Sequence, residues 1–136
     1  MSATASSVTL SSGKRVYLSG TNLMLAESPG NEAILASDVS TGKLDRGVLI
    51  CGTGIGMCIT ANKFPGVRAA SVWDEFTARM VKAHNDANII CLGARVLNHH
   101  RAAELVNLWL DTQFEGNRHK SRLDKIREIE KKNFVR

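Results

Sequence analysis

Apolar positions along this chain follow two rhythms. Short continuous runs occur at Val48 to Cys51, Val67 to Val72 and Asn88 to Leu92, each closed by glycine, proline or asparagine nearby. Runs of that length between such breakers predict buried strands. Between them, apolar residues recur at helical spacing. Ile55 to Lys63 reads as helix and stops at Pro65-Gly66. Asp74 is placed to cap a helix carrying Phe76, Met80 and Ala83 on one face, and Ala102, Leu105, Val106 and Trp109 mark another. A final helix, from about Ser121 to Lys132, carries Leu123, Ile126 and Ile129 on its apolar side. Strands alternating with helices of this length predict a parallel sheet with right-handed crossovers. Ligands bind such sheets beyond the carboxyl ends of the strands, and Cys51 lies at one of those ends.

The first 46 residues are less regular. Val8-Thr9-Leu10 and Lys14 to Leu18, joined by Ser11-Ser12-Gly13, have the pattern of a hairpin. The other reading makes residues 1–13 a disordered arm and Val16 to Leu18 the first sheet strand. Asn31 to Val39 reads as a short helix ending near Gly42. Residues 1–136 are therefore expected to form a single α/β domain: an arm (1–13), an atypical segment (14–46) and a regular core (47–136).

Composition narrows the class. An apolar fraction of 43% with 23% charged residues fits a soluble globular protein with one modest core. No apolar run approaches the ~18–20 residues that cross a membrane, and Met1 to Ser7 lacks the basic start and apolar centre of a secretory signal. A cytoplasmic location is the expectation. Three cysteines, widely spaced and odd in number, suit reduced thiols rather than a disulfide framework. No CxxC or HxxxH spacing points to a metal.

Charge adds a second focus. Arg118 to Arg136 holds eight Lys/Arg against three Asp/Glu, whereas the rest of the chain holds ten of each. That segment supplies the whole net charge of +5, and a basic segment suits phosphate groups. With aromatic content at 5% and no basic–aromatic interleaving, base stacking is not indicated, and no nucleic-acid partner is expected.

The candidate chemistry begins with Cys51-Gly52-Thr53-Gly54-Ile55-Gly56-Met57. A helix following a strand favours a thiolate at the junction, fit to act as nucleophile or general base; a buried structural thiol is the alternative. The glycines do not make a dinucleotide fingerprint, because Met57 stands where G-x-G-x-x-G needs its last glycine, and no Walker lysine follows. They make a tight loop whose N–H groups can hold an oxyanion or enediolate. Cys58 and Cys91, inside a helix-like and a strand-like segment, read as core. Farther on, His84 can move protons near neutral pH and Asn85 can bind a hydroxyl. Arg118 and Arg122, four apart, project from one side of a helix and together suit a phosphate.

These segments, with Ala61 to Ala70, His84 to Asn88, Leu92 to Val96 and Phe114 to Ile126, together resemble the type B ribose-5-phosphate isomerase family, which includes the galactose-6-phosphate isomerase subunits. The resemblance runs in one register from about Leu44 to Glu130. It implies a Rossmann-like three-layer α/β fold with a parallel sheet and helices on both faces, and a homodimer with sites at the subunit interface. It implies no metal and no organic cofactor. It implies that Cys51 moves a proton between the first two sugar carbons while Thr53 and the backbone of Gly52, Gly54 and Gly56 hold the enediolate. His84 would assist ring opening and Asn85 bind the sugar. Arg95, Arg118 and Arg122 would hold the phosphate, with His119 beside them. The family's opening strand leads to a Gly-Ser-Asp-His-like turn; here Val16-Tyr17-Leu18 leads to Ser19-Gly20-Thr21-Asn22. Only 29 residues separate Leu18 from Val48, where a helix, a strand and a second helix need roughly 40. The fold is thus expected to be one βα unit short at its N-terminal side. The function expected is aldose–ketose isomerisation of a phosphorylated sugar, ribose 5-phosphate first among candidates. The alternative is a non-catalytic phosphosugar-binding protein or the partner subunit of a heteromer.

Overall fold

The computed structural model describes residues 16–17, 23–27 and 31–134. Its centre is the pairing of β3 (Arg46–Cys51) with β5 (Ile89–Gly93), in parallel from Gly47 opposite Ile89 to Cys51 opposite Gly93. Both strands are continuous apolar runs because both of their faces are covered. On one face Val48, Ile50, Ile90 and Leu92 pack against α3 (Glu75–Ala83) and α4 (His99–Asp111), through Ala78, Val81, Leu105, Val106 and Trp109. On the other, Leu49, Ile89 and Cys91 pack against α1 (Glu32–Ser40) and α2 (Gly56–Ala61), through Leu35, Ala36, Val39, Met57 and Ala61. Each fully buried Leu, Ile or Val here contributes about 1.5–3 kcal/mol. The three-layer α/β architecture follows from that alternation.

β4 (Ala69–Ser71) flanks β5, β2 (Leu23–Glu27) flanks β3, and β1 (Val16–Tyr17) forms the far edge, in the order β1-β2-β3-β5-β4. β2, β3, β5 and β4 are parallel, but β1 runs antiparallel to β2. The expected parallel sheet thus carries one antiparallel pair, at that edge. Five residues separate β1 from β2, fewer than the dozen or more a parallel crossover needs. β2 itself went unread in the sequence, since Leu-Met-Leu-Ala-Glu has no β-branched residue. The candidate strand at Val8 to Leu10 and the arm 1–13 lie outside the described residues.

Two helices differ from their sequence patterns. Asp74 caps α3 as expected, its carboxylate accepting from Thr77 N–H at 2.8 Å while Thr77 Oγ1 accepts from Asp74 N–H at 3.2 Å. The buried residues, however, are Ala78 and Val81 with Ala83, so of the expected face Ala83 is buried while Phe76 is 69% exposed. α4 packs against the small residues and leaves the ring outside. The last helix, α5 (Arg118–Asn133), starts three residues earlier than expected, and only His119 and Leu123 are buried on it. It crosses the amino ends of the strands, from His119 beside His84 to Glu130, whose carboxylate accepts from Gly66 N–H. That crossing explains why Ile126 and Ile129 face outward instead of packing on the sheet.

Candidate active site

The sequence-predicted residues fall into two groups at opposite ends of the sheet. At the carboxyl end, half-buried Cys51 closes β3. Gly54 N–H donates to Cys51 Sγ at 3.1 Å, and Ile55 N–H donates to Thr53 Oγ1 at 3.2 Å. Two of the loop's N–H groups are thus used inside the loop, which leaves the others for a ligand. Gly54 has φ +80°, and a Cβ there would stand 3.1–3.3 Å from the backbone of Cys91 and Leu92. Only glycine satisfies both constraints. Gly56 begins α2 with open space around it. Arg95 N–H donates to Gly52 O at 3.0 Å, and the Arg95 side chain lies over Gly52. The exposed Thr53 hydroxyl, the Arg95 guanidinium and the Cys51 sulfur therefore surround one short loop.

Sequence reasoning missed two supports of this loop. Ser71 Oγ donates to Gly54 O at 3.0 Å. Gly93 permits the loop to touch β5, since a Cβ on Gly93 would stand 2.8 Å from Thr53 C and O. The signal for Gly93 was its position at a strand's end, where a glycine marks a close backbone approach; nothing local marked Ser71.

At the amino end, His84 caps the C-terminus of α3, and the chain turns through Asp86 with φ +47°. The His84 and His119 rings stack, with centroids 4.1 Å apart and planes inclined at 11°. Glu115 Oε1 stands 3.6 Å from His84 Nε2 and 3.5 Å from His119 Nε2. Glu115 is fixed there by its own N–H, which donates to Ala83 O at 2.9 Å, and it too was missed in the sequence. The His119 side chain is 5% exposed, and its buried Nδ1 has no hydrogen-bond partner among the described residues. Burial pushes the His119 pKa below its ordinary value, and its neighbours His84, Arg118 and Arg122 push it further, against the pull of Glu115. Arg118 and Arg122 are exposed, and among the described residues neither has a carboxylate partner. Asn85 is exposed beside His84.

Ligand atoms of His84, Glu115 and His119 lie within 4.8 Å of one another. Nearly parallel rings direct their in-plane lone pairs side by side, so a shared ion requires the imidazoles to splay apart.

From Gly47 to Cys51 the sheet runs four residue steps, about 13 Å at a strand's rise. His84 and Asn85 precede β5 at the Gly47 end, and Glu115 and His119 are held there with them. The chain therefore does not bring Cys51 to His84, nor Arg95 to Arg118 and Arg122.

Comparison with known proteins gives the class first: the relatives are sugar-phosphate isomerases, enzymes of the intramolecular oxidoreductase class. Ribose-5-P isomerase B of Listeria innocua is 46% identical over 99 residues, covering 73% of this chain and 67% of the relative. D-erythrulose-4-phosphate isomerase of Pectobacterium atrosepticum is 47% identical over 92 residues, covering 68% of this chain and 60% of the relative. The crystal structure of ribose-5-phosphate isomerase B from Mycoplasma genitalium with bound ribulose-5-phosphate superimposes with a TM-score of 0.72 at 41% identity, covering 75% of this chain and 68% of that one. Residues 19–126 match the family described as Ribose/Galactose Isomerase, and this chain belongs to that family. It spans about two thirds of the length of the relatives it matches.

Proposed function

We propose that this chain is an aldose–ketose isomerase acting on ribose 5-phosphate, in which Cys51 is the base and each active site is assembled from two copies. The observation that carries the reading is the division of the site residues between the two ends of the sheet. One end has a proton acceptor and an anion loop, Cys51 with Thr53, Gly52, Gly54 and Gly56. The other has His84 and Asn85 beside Arg118 and Arg122, exposed guanidiniums without a carboxylate partner among the described residues. Isomerisation needs both halves at one substrate, and a homodimer with the amino end of one copy against the carboxyl end of the other supplies them. Apolar residues left exposed, Ile55 at the start of α2, Ile59 on it and Ile129 on α5 among them, suit such an interface.

In this reading Cys51 removes the proton from the carbon next to the carbonyl and returns it to the neighbouring carbon. Thr53 and the loop N–H groups that the loop's own hydrogen bonds do not use hold the enediolate oxygens while the negative charge exists. His84 exchanges a proton with the ring oxygen as the sugar opens. Asn85 binds a hydroxyl, and Arg118 and Arg122 with Arg95 hold the phosphate, whose binding energy positions the reacting carbons. No step requires a metal or organic cofactor. Among the described residues no helix is long and apolar enough to cross a membrane, and the proposed location is cytoplasmic.

The test is exchange of the substrate's C2 proton with solvent. Wild-type protein is expected to catalyse it, and Cys51→Ala to lose about 10²–10⁴-fold. Binding of ribose 5-phosphate without exchange supports instead a non-catalytic phosphosugar-binding protein or one subunit of a heteromer.

A further inference from the structure

α3 ends in a left-handed turn at Asp86, which has φ +47° and whose N–H donates to Lys82 O at 3.1 Å. Glycine is the usual residue at such a position, because a positive φ costs it nothing. Here an aspartate takes the strained conformation, and its carboxylate is tied on both sides. Lys82 Nζ lies 2.5 Å from Asp86 Oδ1, and Arg68 Nη2 lies 3.6 Å from Oδ2. Arg68 Nε also donates to the Asp86 carbonyl at 2.9 Å, from 18 positions away at the entry to β4. Two further bonds lock the same junction. Arg68 N–H donates to Asn88 Oδ1 at 2.7 Å, and Asn88 Nδ2 donates to Gly66 O at 2.9 Å.

His84 and Asn85 sit inside this clamped turn, and their side chains take no part in the clamp. The His84 ring faces His119 and Glu115, and Asn85 is exposed. Stacking on His119 sets the plane of the His84 ring but lets one ring slide over the other. The backbone of the turn decides where along that plane the ring stands. The Arg68 and Asp86 side chains are only 25% and 28% exposed, so water screens their attraction less than at an open surface.

We propose that Asp86, gripped by Arg68 and Lys82, is a positioning residue that places His84 at the ring oxygen of the cyclic sugar. The inference rests on the isomerase reading above and deepens it at the ring-opening step. Proton exchange with a ring oxygen tolerates little displacement of the donor, since it needs hydrogen-bond distance. Asp86 acts through the turn and touches no substrate atom.

Two sugar phosphates separate this role from a general structural one. Ribose 5-phosphate closes to a furanose through its C4 hydroxyl, so its isomerisation begins with ring opening. Ribulose 5-phosphate stays open, because the C5 oxygen that would close a five-membered ring carries the phosphate. Exchange of its C1 proton with solvent needs Cys51 and the loop but no ring opening. Both reactions are measured with full-length wild type, Asp86→Gly, Asp86→Asn and Arg68→Lys. Glycine keeps the left-handed backbone and removes the carboxylate, whereas asparagine keeps the backbone and an acceptor. Lysine keeps the charge of Arg68 but loses the planar donor that reaches both the carbonyl and the carboxylate of Asp86. Asp86→Gly and Arg68→Lys are expected to lower kcat for ribose 5-phosphate about 10–100-fold. KM is expected to change little, since Arg118 and Arg122 still hold the phosphate. Exchange from ribulose 5-phosphate is expected to stay close to wild type, and Asp86→Asn to recover most of the lost kcat. Variants that lose both reactions alike, or neither, overturn the positioning role. Wild-type protein that catalyses neither reaction overturns the isomerase reading itself, and this inference with it.

Discussion

At Gly93 one methyl group is enough to disturb the loop, since a Cβ would stand 2.8 Å from the Thr53 backbone. Gly93→Ala is expected to cost about 1–3 kcal/mol of stability, read by urea unfolding, and to weaken phosphosugar binding as the loop lifts. His119 gives a pH prediction. Its pKa is lowered in the fold, mainly by burial, so the unfolded chain takes up the proton first as pH falls. Stability is therefore full above about 6.5 and is lost as pH drops from there toward the folded value. Unfolding followed across that range is expected to show this loss, and His119→Gln to reduce it. At this scale the chemistry was partly legible. Glycines around a cysteine mark a loop because they are close in sequence. Ser71, Gly93 and Glu115 act on partners brought near only by folding, as Ser71 does on Gly54 across 17 positions.

Among the elements, the strands of the core were legible because continuous apolar runs bounded by breakers leave few alternatives. The Asp74 cap was legible for a similar reason: its partner, Thr77, is three residues away. Asp74→Ala removes both the cap and its carboxylate, which the Thr77 hydrogen bonds hold below the usual range. It is expected to cost about 0.5–2 kcal/mol, seen as a lower urea midpoint with unchanged slope. The buried faces of α3 and α5 were not legible. Helical spacing names several candidate faces, and the packed neighbour selects one. α4 selected Ala78 and Val81 over Phe76, and the course of α5 across the strand ends left Ile126 and Ile129 outside. The β1–β2 edge was not read, because β2 has no β-branched residue to mark it; once β2 is there, the short connection forces antiparallel pairing whatever the rest of the sheet does.

For the whole molecule, the governing fact is that one chain carries both halves of the proposed site and keeps them apart by the length of its sheet. The sequence lists the halves without showing that separation, since residues distant in sequence are silent about which end of a sheet they reach. The separation turns the proposed dimer from an accessory into a condition for activity. The most direct test mixes two variants that are each inactive alone, Cys51→Ala and His84→Ala, after dissociation and reassembly. In a hybrid of the two, one site combines an intact Cys51 with an intact His84, while the other has neither. Random pairing is expected to restore roughly a quarter of wild-type isomerase activity. A mixture as inactive as its parts, with hybrids present, would contradict a site shared between two copies.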